Sequence, residues 1–336
     1  MRVKIFFLML FSTVVCLSVS AQQEVQFSQY AFNGLAVNPA YAGYRGDAYL
    51  NTTYRKQWVD FPGAPQTGVV SLDGLPNWIQ DERVGLGIQA QWDKLGPQEY
   101  LSLGGSYAYR IPLNESGSSR LSIGMGLSLA QYSVKGNVLQ FTDVNDPSAP
   151  AGKINALKPD ASFGVYYNTS TFYAGASVLQ LFSQELSGKI AITGGDREYL
   201  VIKRTKHYYF TSGFLIDLSD QLKLKPSIMV KEDFKGPTSF DLNAFLLLNE
   251  KLWLGGSYRS SADIWKKHSL QDGLMKSNAA SIIVEFFAND RLRIGYSYDF
   301  TTSGLSSYQS GSHEISIGLL LLSKKRQDRV LSPRYF

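Results

Sequence analysis

The sequence predicts an all-β fold, a transmembrane antiparallel β-barrel of about 14 strands. Three observations predict it. Apolar and polar residues alternate with a period of two along most of the chain. The alternating segments run to roughly nine to thirteen residues, the span of a tilted membrane strand. Their connections alternate between short and long over the later two thirds, as tight turns at one end and long loops at the other require.

Taken in order, residues 1–21 read as a secretory signal peptide. Arg2 and Lys4 precede the apolar run Ile5 to Val19, and Val19-Ser20-Ala21 forms a small-residue cleavage site before Gln22. The only cysteine, Cys16, lies inside this peptide, and Val15 before it does not fit a lipoprotein signal. The processed chain therefore has neither disulfides nor thiolate metal sites. Residues 22–45 form an aromatic segment with neither helical spacing nor alternation. Phe27, Tyr30, Phe32 and Tyr41 are too apolar for a solvated leader. The expectation is a plug that folds back into the lumen or across the periplasmic mouth. "NPAYAG" (38–43) then turns the chain into the first strand, with Asn38-Pro39 at the turn and Gly43 free to take a positive φ.

The barrel occupies 46–322. Its strands are expected at 46–58, 66–75, 83–93, 98–111, 119–133, 160–169, 171–181, 205–216, 220–231, 237–248, 251–260, 278–287, 291–300 and 312–322. The third is the clearest, with Val84, Leu86, Ile88, Ala90 and Trp92 against Gly85, Gly87, Gln89, Gln91 and Asp93. Long loops are expected near 134–159, 182–204, 261–277 and 301–311. A soluble sandwich or lipocalin-like barrel would turn its apolar face inward. Against that stand the number of strands and a polar face rich in Gly, Ser and Asn. Aromatics such as Trp58, Trp92, Tyr107, Tyr109, Tyr167, Tyr208 and Tyr258 also cluster near segment ends, as membrane-interface girdles do. An even strand number puts both termini in the periplasm and the long loops outside the cell.

The composition fits: 30 Gly, 20 Tyr and 19 Phe in 336 residues, with 18% charged. No later apolar run approaches a helical span, which excludes a helical membrane protein. Nucleic-acid motifs are missing, and nucleic acid is not an expected partner. Charged residues on the polar face belong to the lumen or its rims: Asp47, Arg55, Asp73, Arg110, Lys223, Lys225, Lys231, Asp241, Arg259, Arg293, Asp299 and Glu314. They form either a solvated interior or a site that holds a plug or partner. "LxLGGSY" recurs at 101–107 and 252–258 on strands of opposite direction, so it reads as strand chemistry rather than duplication.

No catalytic, cofactor or metal residues are assigned. His207, His268 and His313 are isolated, and no metal-ligand spacing occurs. The nearest nucleophilic set is a Ser with His313 and Asp299, and nothing selects the Ser. The tail 323–336 carries Lys324, Lys325, Arg326, Arg329 and Arg334 and ends in Phe336. It suits recognition by assembly machinery or docking in the periplasm.

"QFSQYAFNGLAVNPAYAG" (26–43), followed by "YRKQWVDFPGAPQT" (54–67) and the terminal "SPRYF", resembles the PorP/SprF family of type IX secretion outer-membrane proteins in Bacteroidota. Phe27, Ser28, Gln29, Tyr30, Asn33, Asn38 to Gly43, Arg55, Gln57, Trp58, Gly63 and Pro65 carry the likeness. Gly34 departs from it, where a bulkier residue or proline is expected. The resemblance implies a non-enzymatic role in secretion, surface attachment or gliding motility. The implied partners are a secreted adhesin with a type B C-terminal domain and components of the secretion machinery. Outer-membrane lipids including lipopolysaccharide would surround the barrel. The candidate plug or partner-binding residues are Phe27, Tyr30, Phe32, Asn33, Asn38, Pro39, Tyr41, Arg55 and Trp58. A passive channel for small or hydrophobic molecules is the alternative.

Overall fold

The computed structural model describes residues 26–76, 82–138, 152–182, 185–192, 195–264 and 278–321. The expected signal peptide, His268 and the basic tail lie outside the described residues. Fourteen antiparallel staves close into a barrel. The first seven are β1 (Ala48–Lys56), β2 (Gln66–Gly74), β3 (Val84–Leu95), β4 (Gln98–Pro112), β5 (Arg120–Lys135), β6 (Lys153–Asn168) and β7 (Phe172–Leu179). A separate hairpin, β8 (Glu185–Ile192) with β9 (Gly195–Lys203), follows. β10 (His207–Phe214) and β11 (Ile216–Ser219) make one stave broken at Leu215. The remaining staves are β12 (Leu222–Glu232), β13 (Thr238–Leu248), β14 (Leu252–Ala262), β15 (Ala279–Phe287), β16 (Leu292–Thr301) and β17 (Ser312–Leu321). β1 pairs with both β2 and β17, from Ala48 against Leu321 to Lys56 against His313, so the described sheet has no free edge at this seam.

Alternation assigns the faces. Along β1, Tyr49, Asn51, Thr53 and Arg55 are buried in the lumen, while Tyr54 points outward and is exposed. On β5 the outward Met125 and Leu127 are 60% and 67% exposed, whereas Ser122 is buried. A soluble protein would not present such a belt to water. The inward charges foreseen from the sequence, Asp47, Asp73, Arg110, Lys225, Asp241, Arg259, Arg293, Asp299 and Glu314 among them, are buried inside the ring.

Two expected loops need correction. β6 begins at Lys153, not 160, and β5 runs on to Lys135. Ile154 and Ala156 are buried while Lys153 and Asn155 face out, so the apolar parity reverses over 153–156, ahead of the outward Leu157. At roughly 3.3 Å per residue these strands rise past a ~25 Å apolar band. Their inner face there packs Tyr132 with Ala156 and Ala130. Arg204 lies over the Tyr132 and Tyr100 rings. The expected loop 182–204 carries the hairpin, with β8 against β6 and β9 against β5.

Connections at the end where β1 starts include the short turns 169–171, 220–221, 249–251 and 288–291. The opposite end carries 57–65, 136–152, 180–206, 263–278 and 302–311. We call these the near end and the loop end. The chain ahead of β1 does not stay at the near end. Ser28 hydrogen-bonds with Asp299 and Glu314, which sit toward the loop end of β16 and β17, so residues 26–47 run the length of the lumen.

Candidate functional site

The site is the lumen itself: the segment 26–47 and the two walls on either side of it. At the loop end, Glu314 accepts hydrogen bonds from the backbone N–H of Ser28 (2.8 Å) and Gln29 (2.9 Å). Arg55 donates to Glu314 (2.9 Å), to the Ser28 hydroxyl (2.8 Å) and to Asp299 (2.5 Å). Ser28 Oγ donates in turn to Asp299. The Gln29 amide donates to the Glu314 carbonyl and accepts from Ser316 Oγ. Arg55 and Glu314 face each other across the β1–β17 seam, so this latch also ties the closing strands together. Each carboxylate is balanced by a guanidinium and by backbone or hydroxyl donors, which is the condition under which buried charges are tolerated.

Three 3₁₀ turns follow, Tyr30–Phe32, Gly34–Ala36 and Pro39–Tyr41. Short, Gly- and Pro-containing turns of this kind explain why no helical or strand period is legible here. The Tyr30 hydroxyl accepts from Asn243 Nδ2. Phe32 meets Phe245 edge to face at 5.2 Å and Trp253 at 6.1 Å. Lys225 sits 5.0 Å from the Phe32 ring, and Arg293 donates to the Phe32 carbonyl. Phe245, Leu247, Trp253 and Ile283 point inward against the polar rule, forming with the segment's own rings a core inside the barrel. Edge-to-face pairs add about 0.5–1.5 kcal/mol each beyond burial.

Asn38 caps the third turn. Its Oδ1 accepts from Ala40 N–H (2.9 Å) while its Nδ2 donates to the Val165 carbonyl (2.9 Å). The chain passes so close to the wall here that a Cβ at Gly124 would overlap the Pro39–Ala40 backbone, and one at Gly164 would overlap Asn38. Tyr41 and Tyr44 stack at 4.8 Å and meet Tyr166 edge-on. Gly43 has φ +73° and donates its N–H to Asp73 (2.9 Å), turning the chain toward β1 as the sequence predicted. Gly34 has its reason too: the Tyr41 ring occupies the space a side chain would need.

Of the candidate residues, Phe27, Tyr30, Phe32, Asn33, Asn38, Pro39, Tyr41 and Arg55 come together in the lumen and are buried. Trp58 stands apart, beyond β1, with its N–H on Ser312 Oγ and its ring against Phe61. The tail residues Lys324, Lys325, Arg326, Arg329, Arg334 and Phe336 lie outside the described residues. His313 turns outward onto the Tyr296 hydroxyl, while Asp299 faces the lumen and is held by Arg55. Those two therefore cannot share a nucleophilic site. Sequence reasoning missed Glu314 and Asn243 as partners of the segment and the inward Phe245 and Trp253. The signal was present as parity: in "AFLLL" (244–248) the odd positions face in.

The opposite wall, β3 to β7, is different in kind. Between it and Leu35, Ala36 and Pro39 lies a cavity of ≈ 110 Å³. Its floor and sides include Gln89, Gln91, Ser102, Gly104, Ser128 and Ser162. Gln89 Oε1 and Gln91 Nε2 are buried without a hydrogen-bond partner, as are several atoms across the lumen, including Tyr49 Oη, Asn51 Nδ2 and Ser297 Oγ.

The sequence matches the family model described as type IX secretion system membrane protein PorP/SprF over residues 19–319. No curated protein matches it. Among solved structures, the CymD monoaromatic hydrocarbon channel is similar at 14% identity and TM-score 0.53, over 87% of this chain and 93% of that one. A FadL homologue of Pseudomonas aeruginosa has 14% identity and TM-score 0.45, over 86% and 92%. At these identities the likeness to CymD speaks to the fold alone.

Proposed function

From the premise that the chain belongs to the PorP/SprF family of type IX secretion system membrane proteins, and is thus an outer-membrane barrel of that system, we propose that it works without catalysis and holds a secreted protein at the cell surface. The observation that carries this reading is the filled lumen. A barrel whose interior is occupied by a latched segment is built to present a surface rather than to conduct. In this reading the loop end faces outward, since outer-membrane barrels keep short turns in the periplasm. The secreted partner, such as an adhesin with a type B C-terminal domain, docks at that end, and the near end and the tail 323–336 address the periplasmic secretion components.

Solubilising native membranes in several mild detergents and recovering the barrel tests the proposal. Co-recovery of a secreted protein or of secretion components is expected, and recovery alone in every detergent would overturn it. A passive channel is the second reading, favoured by the cavity beside the segment. In planar bilayers the intact chain should be silent. A stable open current would favour the channel.

A further inference from the structure

The outer surface at the loop end is charged on one side of the barrel and neutral on another. Alternation puts Trp92, Leu101, Leu129 and Leu157 on the lipid face of β3 to β6, and the three leucines are exposed there. The same alternation carries Lys94, Glu99, Lys135 and Lys153 to that face, beyond the last apolar side chain of each strand. These four are neighbours. Lys94 stands opposite Glu99 across β3 and β4, and Lys135 stands opposite Lys153 across β5 and β6. Lys135 Nζ donates to Glu99 Oε1 at 2.6 Å, and the charges of Lys153 and Lys94 also reach that carboxylate. Among the described residues, Glu99 is the one acidic residue on the outward positions of β3–β6 at this end, so positive charge is in surplus. Lys56 continues the row on β1, with Gln66 of β2 between it and Lys94. By contrast, β12 to β17 put Glu232, Thr238, Ala262, Ala280, Phe300 and His313 at the corresponding positions, with no lysine or arginine among them.

We propose that Lys94, Lys135 and Lys153 form a binding site for the phosphate of a lipid headgroup in the leaflet at the loop end. Like charges directly opposite each other on neighbouring strands destabilise a sheet. Lys135 against Lys153 therefore opposes folding until an anion lies between them. The place of the site selects a lipid. A dissolved anion needs no apolar floor, whereas the exposed Leu101, Leu129 and Leu157 beneath the lysines give acyl chains a surface to lie on. Lysine stems follow such a surface while their ammonium heads stay in the headgroup layer. Neighbouring strands stand ~4.8 Å apart, so the row from β3 to β6 lies within reach of one large headgroup. With the loop end in the outer leaflet, that headgroup is the phosphorylated sugar of lipopolysaccharide. The site rests on the orientation of the barrel and is independent of the holding function, since no partner protein enters it.

The test purifies the full chain in mild detergent, adds short-chain lipopolysaccharide and measures its retention by native mass spectrometry. Heat-modifiable mobility on gels reports whether each variant is a folded barrel. Lys94→Gln, Lys135→Gln and Lys153→Gln combined should weaken retention about a hundredfold, the equivalent of about 2.7 kcal/mol. The same three positions changed to Arg keep the charge and should retain the lipid as the parent does. Where the triple glutamine variant does not fold, Lys153→Gln alone, at an exposed position, should weaken retention about fivefold. Lys235→Gln, in the exposed loop between β12 and β13, should bind as the parent does. Equal retention by the parent and the glutamine variants would overturn the site, and so would an equal loss in Lys235→Gln. Equally tight binding of enzymatically dephosphorylated lipopolysaccharide would overturn the phosphate reading. Displacement by inorganic phosphate alone would reduce the site to one for a free ion, and displacement by polyglutamate would assign it to an acidic polypeptide. Either result would overturn the lipid.

Discussion

The lumen's two walls carry the same backbone architecture and opposite chemistry. β1 and β12–β17 offer Arg55, Asp241, Arg259, Glu285, Arg293, Asp299 and Glu314, together with Phe245 and Trp253. β3–β5 offer mainly Gly, Ser, Ala and Gln facing inward, with Arg110 and Arg120 confined to the near end. The first wall holds the segment by ion pairs and rings, and the second packs against its backbone around Asn38 to Ala40 while a cavity remains beside Leu35 and Ala36. The segment is thus held from both sides, by charge on one and by close backbone packing on the other.

Substitutions should reveal that asymmetry. The largest effect is expected at the latch. Arg55→Met leaves Glu314 and Asp299 buried without their cation, and breaking such a pair costs about 3–5 kcal/mol. Thermal unfolding should shift sharply downward, and the bond between β1 and β17 should weaken with it. Phe32→Ala empties the centre of the inner core, a change worth about 3–5 kcal/mol where the site cannot collapse. Conductance should then appear in bilayers, and silence would mean that the segment stays seated by the latch alone. Asn38→Ala removes the cap and a bond to the Val165 carbonyl, for about 1–3 kcal/mol. On the wall beside the cavity, Ser128→Ala should stay within about 0.5 kcal/mol of the parent. A cost there equal to that at Arg55 would erase the comparison between the walls.

Much of the barrel was legible in the sequence because outward residues must be apolar wherever lipid touches them. β3, β13 and β17 show this over their length. Legibility ended where that constraint ends. In Lys153 to Ala156 the strand has left the apolar band, its apolar residues Ile154 and Ala156 face inward, and the polar outer face of Lys153 and Asn155 mimics a loop. The hairpin β8–β9 falls inside the expected loop 182–204, although Gly194-Gly195 is a hairpin signal. Within the site, the segment's aromatics and Arg55 stood out from composition and resemblance. Glu314 and Asn243 did not, since residues more than 200 positions away in sequence meet the segment only through closure of the ring.

The most direct test uses the absence of cysteine beyond Cys16. Single cysteines at Ser128 and at Ser316 can be treated with a small maleimide added to intact cells. The account predicts labelling at Ser128, which lines the cavity, and none at Ser316, which is 1% exposed against the segment. Equal labelling of both positions, or labelling of Ser316 alone, would contradict a segment latched onto β17 with its remaining space beside Leu35 and Ala36.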